Sequence, residues 1–311
     1  MTHQNTSQLL MIRPVNFGYN EQTAVNNAFQ EPGGDEHTQE KALAEFDALA
    51  AALLEQRIQV QIVQDTPYPE TPDSIFPNNW ISTHSNGTAV LFPMFAPNRR
   101  LERKAGVMEQ IRRIFRIKKI LDLTPHEKKG EFLEGTGSMV LDRKNHFAYA
   151  CLSERTSPAI LNEFCRKIGY TPVSFHATDA EGKPIYHTNV MMCVADRYVV
   201  ICLDSIRDPQ EREYVIGEIK KSDKVVVEIG MDQMANFAGN MLQVENILRE
   251  KFLVMSSRAF ASLTPQQVTL LRSFNEIIHV PLDTIEKYGG GSARCMLAEI
   301  FLPKYDPDKL N

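Results

Sequence analysis

The stretch "TPVSFHATDAEGKPIYHTNVMMCVADRYVVICL", residues 171–203, contains the unit from which the fold is predicted. A strand-like run at 171–177 leads into a polar loop, and two apolar runs, 190–194 and 198–203, follow with only three residues between them. Short apolar runs joined by a tight polar connection are typical of a β-hairpin. Because a helical pattern at 157–168 precedes the first strand, the stretch predicts a unit of helix, strand, loop and hairpin.

This unit recurs along the chain. Helices are predicted at 41–56, 99–116, 157–168, 208–221 and 264–275, each followed by a strand, at 57–64, 118–124, 171–177, 224–230 and 276–282. Hairpins are predicted at 80–94, 137–152, 190–203 and 241–256, and the last one has a single strand at 293–302. We expect residues 8–17 to supply its second strand and close a ring. Repetition every ~50–60 residues favours a radial, propeller-like array, and an ordinary α/β sandwich is the alternative.

Composition narrows the class of protein. The chain has 311 residues, of which 43% are hydrophobic and 23% charged, and its net charge is −5. These values are usual for a soluble globular protein, and the acidic balance argues against nucleic acid as a partner. No apolar run approaches the ~20 residues of a membrane span, and the N-terminus lacks the basic start and apolar core of a signal peptide. We therefore expect a cytoplasmic protein without membrane attachment. A homo-oligomer is compatible with this composition.

The cysteines point to a single thiol of interest. They stand at 151, 165, 193, 202 and 295 without a C-x-x-C pair, so neither a disulfide nor a metal site is predicted, and we expect no cofactor. Cys295 ends the motif "GGGSARC", residues 289–295. The glycines either form only a turn into a strand, or they bring the backbone close to a bound molecule and leave the sulfur facing it.

Polar residues recur in the loop before each hairpin. These loops read "FPNNW" (76–80), "FLEGTG" (132–137), "YHTNV" (186–190), "MANFAGN" (234–240) and "GGGSARC" (289–295). In a radial array equivalent loops meet near the axis, so Asn79, Glu134, His187, Asn189 and Cys295 are expected to converge. Each residue alone has a simpler explanation, such as a turn, a solvated carboxylate or a packed side chain, and the inference depends on their joint placement.

Together these groups suit acyl or amidino transfer through a thiol. A thiolate attacks an electrophilic carbon, histidine protonates the leaving nitrogen and then activates water, and a carboxylate holds the nitrogens of the reacting group. A neighbouring imidazolium is expected to raise the thiolate fraction of Cys295.

The motifs resemble those of the guanidine-modifying superfamily, or penteins, which includes arginine deiminases, dimethylarginine dimethylaminohydrolases, succinylarginine dihydrolase and amidinotransferases. "EGTG" is similar to the family's E-G-G-D, "HTN" to its H-x-D, and "GGGSARC" to its terminal cysteine motif. The resemblance implies Glu134, His187 and Cys295 as catalytic residues. It also implies a five-bladed α/β propeller, here a single catalytic domain over residues 1–311.

Shorter motifs suggest the residues that bind substrate. "LSERT" (152–156) resembles S-x-R-T, so Arg155 is expected to hold the α-carboxylate of the substrate, and "FPNNW" resembles F-x-x-D, which places Phe76 near the substrate. Asn236 stands at the corresponding place in the fourth unit and is a further candidate.

Departures from the family pattern bear on the substrate, a small amino acid. Asn79 and Asn189 stand where deiminases have aspartates, and Gly137 replaces the aspartate of E-G-G-D. Neutral amides match a ureido group better than a guanidinium ion, because an amide both donates and accepts hydrogen bonds. The pattern resembles the citrulline-utilization hydrolases, so hydrolysis of citrulline to ornithine, ammonia and carbon dioxide is the preferred interpretation.

Two alternatives stay open at this stage. The first is arginine or methylarginine hydrolysis, or amidino transfer, by the same nucleophile. The second is a propeller that binds without catalysis, against which the presence of Cys295, His187 and Glu134 argues.

Overall fold

Residues 3–305 are described by a computed structural model, and they form an α/β fold with five three-stranded sheets. The strands are β1 Gln8–Arg13, β2 Gln59–Gln64, β3 Ile81–Thr83, β4 Thr88–Leu91, β5 Lys119–Asp122, β6 Val140–Asp142, β7 Phe147–Cys151, β8 Thr171–Phe175, β9 Met192–Val194, β10 Tyr198–Ile201, β11 Val225–Glu228, β12 Leu242–Glu245, β13 Lys251–Ser256, β14 Glu276–Val280 and β15 Ala298–Glu299. The sheets are β15-β1-β2, β3-β4-β5, β6-β7-β8, β9-β10-β11 and β12-β13-β14. Residues 1–2 and 306–311 of the expected domain lie outside the described part.

The helices connect these sheets. They are α1 Glu21–Ala24, α2 Thr38–Glu55, α3 Pro97–Arg100, α4 Ala105–Ile114, α5 Gly135–Ser138, α6 Pro158–Ile168, α7 Pro209–Lys221, α8 Met231–Ala235, α9 Ser257–Ser262, α10 Pro265–Arg272 and α11 Asp283–Gly289, with short 3₁₀ turns at Pro77–Asn79, Thr124–Lys129, Thr188–Val190 and Leu203–Ser205. None of the helices within residues 3–305 is long and apolar enough to cross a membrane.

Four of the five sheets combine a hairpin with the strand that follows the next helix. Strands β3 and β4 pair antiparallel, and β5, which comes after α4, adds to β4 in parallel. Parallel neighbours need a crossover connection, which the helix supplies. The structural repeat therefore begins with the hairpin and continues through the helix and its strand. The predicted unit began with the helix, so the two repeats are out of step by one helix and one strand.

The N-terminal strand completes the last sheet, as predicted. Strand β1 pairs antiparallel with β15, with Leu9 opposite Glu299, and parallel with β2. The strand predicted over 293–302 is only two residues long, because the preceding residues form the turn that carries Cys295.

One predicted helix is wrong in its extent. The pattern at 99–116 is divided into α3 and α4, with Lys104 as the cap of α4. The Nζ of Lys104 bonds to Asp65 at 2.6 Å and to the carbonyl oxygens of two loop residues. This break allows Arg99, at the end of α3, to be buried instead of lying on a solvated helix face.

The apolar core lies between the helices and the sheets. Helix α2 buries Phe46, Leu49 and Leu53 on one face, at helical spacing, against β2 and β14. Each such side chain contributes about 1.5–3 kcal/mol of hydrophobic stabilisation. Every residue of β3, β6 and β9, the first strands of their hairpins, is buried. The loops that precede these strands therefore bring polar side chains into the interior.

Candidate active site

The glycines before Cys295 allow a close approach of an aromatic ring. Gly290, which ends α11, has φ of +63°, a left-handed conformation that favours glycine. A Cβ at Gly289 would lie 2.8 Å from the Phe76 ring, and a Cβ at Gly291 would lie 3.0 Å from it. Phe76 therefore packs directly on this loop. Cys295, 3% exposed, lies at its end and lines a small buried cavity with Phe76.

Two amide groups surround the sulfur atom. Asn189 Nδ2 and Asn240 Nδ2 each donate to Cys295 Sγ at 3.3 Å. The sequence predicts Asn189 at the site as a substrate-binding residue, whereas Asn240 was not among the candidates. Asn236, the candidate chosen from the same loop, does not reach the cavity: its amide donates to the Asp232 carbonyl oxygen and accepts from Arg258. The reason is its place at the end of α8, where its side chain bonds back to the helix.

Asn236 and Asn240, the two asparagines of the loop 234–240, differ in their distance from the strand that follows. Asn240 and Asn79 each stand two residues before the first strand of their hairpin, β12 and β3. Asn240 therefore occupies the position in its loop that corresponds to Asn79.

His187 and Glu134 form a buried pair. His187 Nε2 lies 2.8 Å from Glu134 Oε2, and Glu134 Oε1 accepts the Phe95 N–H at 2.9 Å. Burial raises the pKa of Glu134, but Arg155 and the bond from His187 outweigh it and lower this pKa to about 2. Burial lowers the pKa of His187 to about 4, although Glu134 opposes the shift. The imidazole is therefore neutral near pH 7 and donates through Nε2, which leaves Nδ1 as an acceptor.

The neutral histidine corrects one expectation. An imidazolium beside the sulfur was expected to favour the thiolate of Cys295. The structure instead directs His187 Nε2 to Glu134, and it records no hydrogen bond between His187 and Cys295 within residues 3–305.

The orientation of Asn79 is fixed by an arginine. Its Oδ1 accepts from Arg99 Nη1 at 2.7 Å, and because a guanidinium only donates, Nδ2 must point the other way. Nδ2 has no hydrogen-bond partner among the described residues. A Cβ at Gly137 would lie 2.4 Å from Asn79 Nδ2 and 2.8 Å from His187 Nδ1. An aspartate therefore has no room at position 137, which explains this departure from E-G-G-D.

A buried charge cluster beside the cavity was missed by the sequence reasoning. Arg99 bonds to Glu102 at 2.8 and 3.0 Å, and its Nε lies 3.8 Å from Asp73 Oδ2. Burial raises the pKa of Glu102 to about 7, against the lowering by Arg99. Burial likewise raises the pKa of Asp73. Asp73 Oδ1 is buried without a hydrogen-bond partner in the described chain. The available signal was an acidic residue in the loop three positions before Phe76.

Arg155 lies at the site but is engaged by protein groups. Its Nε bonds to Asn26 Oδ1 at 2.8 Å, its Nη2 bonds to the Thr23 carbonyl oxygen at 2.6 Å, and its Nη1 lies 3.6 Å from Glu134. Its guanidinium also stacks over the Tyr186 ring at 4.9 Å. Binding of a substrate carboxylate by Arg155 therefore requires the segment with Thr23 and Asn26 to release it.

The segment that includes α1 covers the cavity. Asn20 donates to Asp73 at 2.7 Å, Asn27 donates to the Gly290 carbonyl oxygen at 3.4 Å, and Gln30 donates to that of Tyr288 at 2.8 Å. The cavity that remains measures about 10 Å³, room for about one water molecule. In this closed arrangement the site cannot hold an amino acid.

The cysteines and the possible metal ligands offer no second site of this kind in the described part of the chain. All five cysteines are buried and none is disulfide-bonded. Within residues 3–305 no group of three or more histidine, cysteine, aspartate or glutamate side chains is arranged to hold a metal ion.

Comparison with known proteins gives one family match. The family model described as "N,N dimethylarginine dimethylhydrolase, eukaryotic" matches residues 13–302. A search of curated protein sequences finds no match.

Solved structures share the fold. ArgZ, described as an arginine dihydrolase from the ornithine-ammonia cycle in cyanobacteria, is 19% identical with a TM-score of 0.74, and the alignment covers 97% of this chain but 41% of ArgZ. The N-terminal domain of ArgZ, bound to substrate in a cysteine-to-serine variant, is 18% identical with a TM-score of 0.74, and 95% of this chain aligns with 99% of the domain. A dimethylarginine dimethylaminohydrolase, in an adduct with S-methyl-L-thiocitrulline, is 15% identical with a TM-score of 0.65 over 95% of this chain and 99% of that one. The chain thus spans about two fifths of full-length ArgZ, and its likeness to these structures concerns the fold.

Proposed function

The chain belongs to the eukaryotic N,N-dimethylarginine dimethylhydrolase family, and from that premise we propose that it hydrolyses the guanidino group of an arginine-type amino acid through Cys295. The family and the structural relatives are arginine-modifying enzymes of the pentein superfamily, so the resemblance seen in the motifs is confirmed, and these matches support the expected class, a C–N bond hydrolase. These matches favour the arginine or methylarginine alternative over citrulline. The observation that carries the proposal is that Cys295 and His187, the latter paired with Glu134, line one buried cavity.

The first chemical step uses the neutral imidazole. His187 accepts the thiol proton of Cys295, and the imidazolium that forms is stabilised by the ionised Glu134 at 2.8 Å. The thiolate adds to the guanidinium carbon, the proton on His187 goes to the leaving nitrogen, and ammonia or a methylated amine departs. The enzyme is left with an S-linked amidino intermediate on Cys295.

The second step regenerates the thiol. His187 takes a proton from water, and the hydroxide adds to the amidino carbon. The carbon–sulfur bond then breaks while the hydroxyl group of the adduct releases its proton to solvent and becomes the carbonyl group of the product. The sulfur recovers its proton from His187. The product is a ureido amino acid, so one water is consumed and one amine released per turnover.

Buried carboxyl groups offset the charge of a guanidino substrate. Glu134 is ionised, and Asp73 presents an oxygen atom without a partner in the described chain. A cation buried in this cavity requires such compensation. We assign Glu134 to the guanidinium and Asp73 to the second cationic group of the substrate, its α-ammonium.

A ureido substrate such as citrulline is the second candidate, and the amide groups favour it. Asn79 Nδ2 lines the cavity, and Asn189 Oδ1 lies on the side chain that donates to Cys295; both atoms are buried without partners in the described chain, which leaves one donor and one acceptor unused near the sulfur. A ureido group carries a carbonyl oxygen for the donor and N–H groups for the acceptor, whereas a guanidinium carries donors only.

Substrate binding needs an open form of the covering segment. The closed cavity of about 10 Å³ is far too small for an amino acid, and Arg155 is occupied by Thr23 and Asn26. When this segment withdraws, the Nε and Nη2 of Arg155 become available to the α-carboxylate as a bidentate fork.

The test compares three substrates. Purified protein is incubated in parallel with L-arginine, Nω,Nω-dimethylarginine and L-citrulline, and amine release and ureido product are measured. We expect an arginine-type substrate to have the highest kcat/KM, and Cys295→Ser to abolish its turnover. Faster turnover of citrulline would establish the ureido candidate instead, and turnover of none of the three by folded protein would reject the proposal.

The arrangement of the sheets is also a proposal. We propose that the five sheets are the blades of one propeller domain, with the loops of Asn79, Glu134, His187 and Cys295 at its axis. Contacts between the first strands of neighbouring hairpins support it, since β3 contacts β15 and β9 contacts both β6 and β12. Small-angle X-ray scattering would test it through the radius of gyration, because one compact domain of this length has a radius of roughly 19–20 Å.

A further inference from the structure

Hydrogen bonds fix the orientation of the side-chain amide of Asn240. Its Oδ1 accepts the backbone N–H of Arg294 at 3.0 Å, which leaves Nδ2 as the group that faces the sulfur. Nδ2 then donates to the Asn189 carbonyl oxygen at 2.9 Å and to Cys295 Sγ at 3.3 Å. Both hydrogens of the amide are thereby used, and Asn240 is fully buried. Rotation of this amide would place two donors against each other at Arg294.

The sulfur therefore accepts two hydrogen bonds. Asn189 Nδ2 is the second donor, also at 3.3 Å. A thiolate has lone pairs for both donors, whereas a thiol must direct its own hydrogen elsewhere. Donors fixed in a water-excluded site stabilise negative charge without reorganisation of the surroundings.

The other charged groups of the cavity do not replace these donors. Arg99 and Arg155 are engaged by carboxylates and carbonyl oxygens, and His187 donates to Glu134. Among the titratable groups that line the cavity with Cys295 are also Asp73 and Tyr186, neither of which donates to the sulfur. Within the described residues, the donors to Cys295 Sγ are side-chain amides.

We propose that Asn240 is a catalytic residue that, together with Asn189, stabilises the thiolate of Cys295 through N–H···S hydrogen bonds. The inference rests on the proposed function only in taking Cys295 as the nucleophile. It assigns the activation of the sulfur to two neutral amides instead of a cation.

The experiment measures thiol reactivity without substrate. The rate of alkylation of Cys295 by iodoacetamide is followed by peptide mass spectrometry across a pH series, in the parent, Asn240→Ala and Asn240→Asp. Asn240→Asp still accepts the Arg294 N–H but presents an oxygen to the sulfur. Asn236→Ala is the matched control, since this residue of the same loop lies outside the cavity.

We expect both Asn240 variants to alkylate about ten-fold or more slowly than the parent near neutral pH, since a hydrogen bond to a charged group is lost. The midpoint of the rate–pH profile should move up by about one unit or more. Asn236→Ala should match the parent. Circular dichroism and melting temperature identify variants that fail to fold, and if Asn240→Ala is one of them, Asn240→Asp decides. A parent-like alkylation profile in folded Asn240→Asp would overturn the inference.

Turnover separates this inference from the proposed function. If a substrate is hydrolysed, kcat should fall in the Asn240 variants with little change in KM. If none is hydrolysed, the proposed function fails, and the alkylation profiles still decide the role of Asn240.

Discussion

Replacing Glu134 by glutamine tests the charge balance on which the proposed chemistry depends. The substitution keeps the size of the side chain and removes its charge. Glu134 Oε1 accepts the Phe95 N–H at 2.9 Å, so the amide oxygen of the glutamine must take this position and its NH₂ must face His187. His187 Nε2 then has to accept, and its proton moves to Nδ1. The imidazole can no longer take a proton from Cys295 through Nδ1.

The expected loss follows from the geometry of the pair. In the parent the developing imidazolium is stabilised by a carboxylate at 2.8 Å. A charge-assisted hydrogen bond contributes about 1.5–3 kcal/mol, which corresponds to about 10- to 150-fold in rate. The change of tautomer adds to this loss. We therefore expect kcat to fall by at least about 100-fold.

The assay is steady-state release of amine from the best substrate, with melting temperature as the check on folding. Glu131→Gln is the matched control, because Glu131 stands in the same loop and pairs with His126 near the surface at 3.1 Å. This pair lies outside the cavity, so the activity of Glu131→Gln should equal that of the parent. A folded Glu134→Gln enzyme with kcat within about three-fold of the parent would refute the role of the carboxylate.

Three further predictions follow from the same site. Gly137→Ala should lower kcat at least ten-fold and destabilise the fold by about 1–3 kcal/mol, because its Cβ would lie 2.4 Å from Asn79 and 2.8 Å from His187; parent-like kinetics and melting temperature would count against the packing. Because the pKa of His187 is lowered to about 4 on folding, the unfolded chain binds a proton between about pH 6.5 and 4 that the folded chain does not, so stability falls on acidification. Between pH 7 and pH 5 the parent should lose about 2 kcal/mol more unfolding free energy than His187→Gln, measured by urea denaturation, and equal losses would contradict the assigned direction. Asn79→Asp removes the Nδ2 donor, which points away from Arg99, and should raise the ratio of arginine to citrulline turnover by about ten-fold. A lower ratio would contradict the assignment of Asn79 Nδ2 to a ureido carbonyl oxygen.

The repeat and most of the residues that carry chemistry could be predicted from the amino-acid sequence. Apolar runs of strand length and helical spacing are local properties, so the strands, most helices and the closing role of β1 could be predicted from them. Glu134, His187, Asn189 and Cys295 were selected because each precedes a hairpin, and the structure brings these residues together.

The protonation state and the hydrogen-bond partners of each group depend on contacts between distant parts of the chain. The pKa of His187 depends on its burial and on Glu134, which stands 53 residues away in the chain. Asn240 reaches the Cys295 sulfur and Asp73 reaches the cavity only through the packing of elements that are distant in the chain, whereas the side chain of Asn236 bonds back to its own helix. Hydrogen-bond direction and burial are set by neighbours distant in the chain, and these contacts leave no periodic signal in the sequence.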